Sequence, residues 1–252
     1  MQPPGFVDLH SHVLPDLDDG PATLEAAEAM CRQASRTGTT LLVATPHANR
    51  RFRFDRQAAE QRRVELERRL GASLRLALGS EVEMSLEALS AALEAPQSYT
   101  LNGSRYLLVE PLTMGLGPPL ERVGARILER GLTPILAHPE RNAPLPGWIE
   151  RLRAWQEIGG LFQITAGALT GQQGERIQRC GWRLLAWGMA HFVASDAHDP
   201  MRRPARLADA YLACAEALGR ARADALFVHN PVAVVEDRPL GTARVLQGVG
   251  AR

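Results

Sequence analysis

The stretch Asp8-Leu9-His10-Ser11-His12 sets two imidazoles two residues apart, with a carboxylate two residues ahead of them. In an extended strand, residues i, i+2 and i+4 share a face, so these three side chains are expected to stand together. Paired imidazoles at a strand end hold a divalent metal when further ligands arrive from elsewhere in the chain. Candidates for that role recur along the sequence: Asp18-Asp19, His47, Glu81, Glu110, His138, Asp196 and His198. The set mixes imidazole with carboxylate and holds no thiolate. That suits Mn2+, Fe2+ or Zn2+ and argues against a structural cysteine–zinc site. It also exceeds what one ion needs, so two or three ions sharing a carboxylate are expected. Clustered metals polarise a phosphoryl or carbonyl oxygen and bring bound water toward a pKa of about 7–9. Hydrolysis is therefore the leading reaction type.

The elements that must position these residues alternate. Apolar and β-branched runs predict strands at Phe6–Ser11, Thr39–Thr45, Leu74–Leu78, Tyr106–Val109, Thr133–Ala137, Leu161–Thr165 and Phe192–Ala194. Amphipathic spacing and capping residues predict helices between them: 24–35, 55–70, a run ending at Ala95, 120–130, 148–158, 174–187 and 205–217. Asn230-Pro231 is read as the cap and first turn of a closing helix. Strands alternating with helices in this way argue for parallel pairing and βα units. In α/β barrels, chemistry gathers at the C-terminal ends of the strands. His12, His47, Glu81, Glu110, His138, Asp196 and His198 all fall at predicted strand C-termini. With His10, they account for five of the 7 histidines in the chain. Scattered surface histidines would not sort themselves in that way.

Composition narrows the rest. At 252 residues the chain suits one sizeable core, and a single domain over residues 1–252 is expected. All 29 basic residues are arginine, which excludes a lysine Schiff base and a P-loop lysine. A formal net charge of +1 gives no sign of a general nucleic-acid or membrane surface. Met1–Gly5 lacks a charged and apolar signal region, and no run reaches the roughly 20 apolar residues of a membrane span. Cys31, Cys180 and Cys214 show no metal-type pairing and fit a reducing cytoplasm.

Taken together, Asp8-x-His10-x-His12, Asp18-Asp19-Gly20, Thr45-Pro46-His47, Glu81, Glu110, His138-Pro-Glu-Arg141 and Ser195-Asp196-Ala-His198 resemble the PHP (polymerase and histidinol phosphatase) metal-dependent phosphoesterases. More narrowly, they look like the bacterial manganese-dependent protein-tyrosine phosphatases of capsule and exopolysaccharide export. The resemblance runs from Val7 to about Pro231, with the motifs in the same order. It implies a distorted seven-stranded (β/α)7 TIM-like barrel with three metals, Mn2+ foremost, and a metal-activated hydroxide. It implies His10, His12, Glu81 and Asp196 around one metal, Glu81, Glu110 and His138 around a second, and Asp19, His47 and His198 around a third. Arg141 and Arg203 match the family's phosphate contacts and join Asp196 and His198 as expected catalytic residues. Asp19 and Glu110 stand where many other PHP phosphoesterases carry histidine. The sequence alone does not choose between Asp18 and Asp19; the family's spacing to His10 favours Asp19. Asp8 is expected to accept an imidazole N–H and fix its tautomer. The implied substrate is a phosphotyrosine protein, a tyrosine kinase of polysaccharide export, with no nucleic-acid partner. Thr165 departs from the asparagine expected in its loop.

Plainer readings stand beside these. Cys214 and Arg220 form the C-x5-R of cysteine-dependent phosphatases, but the intervening residues are helix-forming, and Cys214 is expected to be a buried small hydrophobe. Glu83 is either a spare carboxylate near the metals or a solvated rim residue. Arg50–Phe54 either receives an acidic peptide or is a solvated loop. His191 and His229 are expected to be structural or exposed. The competing functions are another PHP phosphoesterase, such as a histidinol-phosphate phosphatase or a nuclease, and a degenerate barrel that binds without catalysing.

Overall fold

The structure is a computed structural model that describes residues 5–112, 119–142 and 147–240; Met1–Pro4 of the N-terminal reading lie outside it. Its strands are β1 (Phe6–Ser11), β2 (Thr39–Ala44), β3 (His47–Ala48), β4 (Arg75–Leu78), β5 (Glu81–Glu83), β6 (Tyr106–Glu110), β7 (Thr133–Ala137), β8 (Leu161–Thr165) and β9 (Phe192–Ala194). Each of the seven expected strands is present. Two of them carry a short extension past a break: β3 continues β2 beyond Thr45-Pro46, and β5 continues β4 beyond Gly79-Ser80.

Those breaks split one parallel array into two sheets, β1-β2-β4 and β3-β5-β6-β7-β8-β9. Proline has no N–H to give to a ladder, so pairing stops at Pro46. Its carbonyl is used instead, accepting from Glu81 N–H (3.2 Å) and Ser80 Oγ–H (2.8 Å). At the second break a Cβ on Gly79 would come within 2.8 Å of the Leu101 side chain, so a bare backbone is needed there. The far edges meet where Asp196 N–H donates to His10 O and His12 N–H donates to Ala197 O, both at 2.8 Å. The result is a distorted α/β barrel whose irregularities lie at the C-terminal ends of its strands.

Helices clothe the array. Thr23 Oγ1 caps α1 (Leu24–Arg36), and Asp55 caps α2 (Arg56–Leu70) through the N–H groups of Gln57 and Ala58. Their apolar faces (Met30, Cys31, Leu66 and Leu70) pack on Leu42, Leu76 and Leu78. A larger cluster gathers α3 (Leu86–Glu94), α5 (Leu120–Leu128), α6 (Trp148–Glu157), α8 (Glu175–Ala186) and α9 (Ala208–Leu218) over Leu107, Leu136, Phe162 and Val193. Short helices α4 (Pro96–Tyr99) and α7 (Ala166–Leu169) follow α3 and β8. A third cluster, drawn mostly from strands, includes Leu9, Val43, Leu108, Ile135 and Phe192.

The chain end corrects one expectation. A helix does begin at Asn230 with Pro231 in its first turn, but Asn230 itself has helical backbone and is not the cap. The helical run begins at α10 (Arg220–Asp224), passes through a π-helical stretch at Ala225–His229 and ends as α11 (Asn230–Val235). A proline inside an α-helix loses an i−4 bond and crowds the preceding turn, and a π-turn before it relieves both problems. Asn230 spends its side-chain amide on His191 O at 2.8 Å rather than on a cap.

Candidate metal centre

β1 delivers His10 and His12 to the C-terminal rim, and their outer nitrogens are already committed. His10 Nδ1 lies 2.8 Å from Gln163 Oε1, and His12 Nδ1 lies 2.6 Å from Asp18 Oδ2. Both partners are acceptors, so each Nδ1 donates its hydrogen, which leaves Nε2 as the atom each ring can offer to a metal. Those two Nε2 atoms face one another at 3.2 Å. A cation between them turns that repulsion into shared coordination.

Asp18 and Asp19 divide the work of the acidic turn. Gly20 makes the turn tight enough, since a Cβ there would lie 2.3 Å from His12 O. Asp18 Oδ1 accepts Gly20 N–H (2.9 Å), and Oδ2 also accepts His47 N–H (3.0 Å). Asp18 is thus a clamp on the His12 and His47 strand ends. Burial would raise its pKa, but His12 and these N–H groups outweigh that and hold it low. Asp19 faces the other way, with Oδ1 at 3.4 Å from His47 Nε2 and 3.3 Å from His198 Nε2. The His198 and His47 imidazoles hold its carboxylate well below the usual range.

Glu81, 1% exposed, sits at the middle. Its Oε2 lies 3.3 Å from His10 Nε2, 3.3 Å from His12 Nε2 and 3.1 Å from His47 Nδ1, while Oε1 lies 2.7 Å from His138 Nε2. Oε2 has no hydrogen bond of good geometry, nor has buried His47 Nδ1. Glu110 approaches from β6, with Oε1 3.3 Å from His47 Nδ1. Burial and the neighbouring Glu81 push its pKa up. For His47, burial works downward, but Asp19, Glu110 and Glu81 outweigh it and push it up to about 11. His138 is driven down to about 3 by burial and Arg141, and His198 to about 3 by burial and His12.

Two rim residues adopt left-handed backbone: His138 at φ 34° and Asp196 at φ 52°. Each costs on the order of 1–3 kcal/mol for a residue with a side chain. Backbone bonds hold both in place, His138 N–H to Gln163 O (2.9 Å) and Asp196 N–H to His10 O (2.8 Å). Asp196 Oδ1 turns toward His10 (3.5 Å), His12 (3.7 Å) and His198 (3.6 Å). Its Oδ2 receives Arg141 and, at 2.7 Å, Arg203. Both guanidiniums also line a cavity of about 310 Å³ with Ser195, Thr170 and Gln173.

Ligand atoms therefore converge within 4.8 Å of one another in four overlapping groups: His10/His12/Asp196, His10/Glu81/His138, His47/Glu81/Glu110 and His12/Asp19/His47/His198. Every residue expected at the metals joins a group. Glu110 gathers with His47 and Glu81, and His12 adjoins the Asp19 group as well as His10.

Asp8 is a correction. Its Oδ1 accepts the backbone N–H of Ser195 (3.0 Å) and of His10 (3.4 Å), not an imidazole. The pairing of β1 with β2 shifts between Asp8 and Ser11, and the carboxylate is left beside the end of β9. Gln163 and Asp18 take the imidazole N–H groups instead. Gln163 signalled itself only as an amide inside an apolar strand, where burial demands a partner. Thr165 contributes its backbone N–H, which donates to the buried Glu140 at 2.9 Å. Glu83 is part-buried, and its Oε2 is buried without a partner. Cys214 is fully buried in α9, and burial pushes its thiol up to about 12. Thiolate catalysis has no foothold there.

Comparison with known proteins agrees with this geometry. A family model described as "Capsular polysaccharide synthesis, CpsB/CapC" matches residues 6–236. The tyrosine-protein phosphatase CpsB of Streptococcus pneumoniae is 30% identical over 243 residues, covering 92% of this chain and 99% of that protein. The putative tyrosine-protein phosphatase CapC of Staphylococcus aureus is 32% identical over 205 residues, 79% of each. Among solved structures, work on YwqE from Bacillus subtilis and CpsB from Streptococcus pneumoniae, described as unique metal-dependent tyrosine phosphatases, supplies a match with TM-score 0.87 and 28% identity, covering 93% of this chain and 96% of that one. The chain belongs to the CpsB/CapC family of capsular polysaccharide synthesis.

Proposed function

We propose that this chain is a metal-dependent protein-tyrosine phosphatase whose single domain holds two or three metal ions among His10, His12, Asp19, His47, Glu81, Glu110, His138, Asp196 and His198. The observation that carries the metal reading is the pair of His10 and His12 Nε2 atoms facing each other at 3.2 Å with both Nδ1–H groups already donated. Imidazole and carboxylate donors without thiolate suit Mn2+ first, with Fe2+ or Zn2+ as the other metals such a set accepts. Bound there, the ions would polarise the phosphoryl group and make water nucleophilic near neutral pH.

The chain's own groups supply the rest. A phosphate monoester brings roughly two negative charges, and guanidinium forks bind its oxygens in pairs. Arg141 and Arg203 each give one N–H to Asp196 Oδ2, which leaves further donors on each fork for phosphate. Asp196 touches the metal-facing imidazoles with one oxygen and both arginines with the other, so it sets their relative positions. The substrate we assign is a phosphotyrosine protein of a polysaccharide-export system, a tyrosine kinase of that system first. Names of the relatives and the family description support that assignment. Among the described residues no helix is long and apolar enough to cross a membrane. The free cysteines suit a cytoplasmic setting.

A turnover panel with Mn2+ tests the reading: phosphotyrosine, phosphoserine and phosphothreonine peptides, histidinol phosphate and single-stranded DNA. Phosphotyrosine should dominate, activity should vanish on chelation and return with Mn2+, and Cys214→Ser should keep it. Dominant hydrolysis of histidinol phosphate or DNA, or loss of activity in Cys214→Ser at an unchanged melting temperature, would overturn it.

A further inference from the structure

A groove of about 280 Å³ opens beside the metal cluster, one residue along β3 from His47. It starts at Ala48, runs under Asn49–Phe54, and is closed on its far side by Ser85, Glu87, Ala88 and Ala91 of the α3 region, with Tyr99 beyond. Its floor is aromatic: the rings of Phe54 and Tyr99 lie 5.1 Å apart between centroids. The wall between groove and metal cluster is one ring. Phe52 lies parallel to the His47 imidazole, with centroids 6.1 Å apart and planes 10° apart.

The loop over the groove is held in shape before any ligand arrives. Asn49 Oδ1 accepts the N–H groups of Arg51 (2.9 Å) and Phe52 (2.8 Å), and Asn49 N–H donates to Phe52 O (2.9 Å). Asp55 then caps α2 and fixes the other end. The three loop arginines are not equivalent. Arg51 sits 4.8 Å over the Phe52 ring, and Arg53 spans the groove to Glu87 at 3.1 Å. Exposed Arg50 lines the groove and makes no ion pair among the described residues. An aromatic floor, a rigid roof and one uncommitted cation at the rim match an aromatic side chain with a carboxylate close by.

We propose that this groove is a second subsite of the same centre, taking an aromatic residue of the substrate peptide near the phosphotyrosine, with Arg50 receiving an adjacent acidic side chain. The proposal rests on the phosphatase reading above. An extended peptide advances about 3.3 Å per residue, so a groove whose Phe52 ring lies 6.1 Å from the His47 imidazole is within reach of a residue close to the phosphorylated one. A preorganised loop loses little freedom on binding, so its contacts appear as affinity for the peptide rather than as turnover of the phosphate ester.

The test uses the full manganese-loaded chain and three substrates: para-nitrophenyl phosphate, a phosphotyrosine peptide with neighbouring aromatic and acidic residues, and the same peptide with those neighbours replaced by alanine. The wild type should favour the aromatic–acidic peptide over its alanine form by about tenfold in kcat/KM. Arg50→Glu and the groove-filling Ala88→Trp should each raise KM for that peptide about tenfold and erase the preference, with para-nitrophenyl phosphate turnover within about twofold of wild type. Arg50→Glu is an exposed change that keeps the test open if Ala88→Trp does not fold. Hydrolysis of all three substrates with no peptide preference, or a preference untouched in Arg50→Glu, would overturn the subsite and leave the phosphatase reading standing. Failure of the wild type on para-nitrophenyl phosphate and both peptides would overturn both.

Discussion

The two ends of the barrel treat charge in opposite ways. At the N-terminal end of the strands, Arg105 meets Asp237 at 2.9 Å with both side chains near half-exposed, and its backbone N–H donates to the same carboxylate at 2.8 Å. Part-buried His191 at that end has Nδ1 accepting Phe162 N–H at 3.2 Å. The charged pair and the imidazole there each have a partner. At the C-terminal end, Glu81, Asp196, His10 and His12 are at most 1% exposed, and Glu81 Oε2 and His47 Nδ1 are orphaned. Burying charge without partners costs several kcal/mol per group unless something compensates. Folding alone does not favour such a cluster; a bound cation would offset its cost. One end of the fold is organised for stability and the other for chemistry.

Breaking the chemical end at its centre should have the largest effect. Glu81→Gln removes the carboxylate that meets His10, His12, His47 and His138. Turnover should fall by about a thousandfold or more, and mass spectrometry of the purified protein should show fewer bound metals than wild type. Full occupancy with normal turnover would show that Glu81 bridges nothing.

Arg141→Ala and Arg203→Ala should each lower kcat/KM for phosphotyrosine peptide by ~10- to 1,000-fold, the scale of one charge-assisted contact in a transition state. Metal content should stay at wild type in each single variant, because the remaining guanidinium still holds Asp196 Oδ2. The double variant should lose metal as well, since that buried oxygen then has no donor. Lysine should rescue only in part, lacking the planar fork.

How far these residues could be found without coordinates depends on what kind of signal each carries. His10 and His12 declare themselves by alternation, and Glu110, His138 and Asp196 by closing predicted strands. Each signal is local, and the barrel converts it into proximity. The strand breaks at Pro46 and Gly79 were equally local, yet their consequence was not: Glu81 hangs from Pro46 O through a bond between distant segments. Asp18 and Asp19 are adjacent and chemically identical, so only the fold assigns one to clamp His12 and the other to face His47 and His198. Gln163 reads as one polar residue in a strand until its distance to His10 is known. Asp8 was misassigned because a shift in strand pairing, invisible in composition, moved it beside backbone donors. The π-turn before Pro231 likewise depends on packing that no local pattern encodes.

The stable end gives smaller, pH-dependent effects. Burial, then Arg222, lowers the His191 pKa to about 4, against 6.5 for a free imidazole. The unfolded chain therefore takes up this proton first as pH falls. The contribution of His191 to stability should decline through the window from about 6.5 to about 4, by on the order of 3 kcal/mol, and that loss persists below it. His191→Gln keeps an acceptor near Phe162 N–H and should flatten that decline in urea midpoints measured on metal-free protein. An identical pH slope in variant and wild type would remove His191 from the account.

Smallest of all should be Arg105→Ala. Exposed ion pairs contribute little, so its melting temperature should sit close to wild type and its phosphatase activity should match it. A large loss of activity would mean that the two ends are coupled and that the contrast drawn between them is false.

The most direct measurement is anomalous diffraction at the manganese edge from crystals of the active, manganese-activated enzyme. Two or three peaks should appear inside the ring of His10, His12, Asp19, His47, Glu81, Glu110, His138, Asp196 and His198, one of them between the Nε2 atoms of His10 and His12. An active crystal with no peak in that ring, or with its manganese elsewhere in the barrel, would contradict the account.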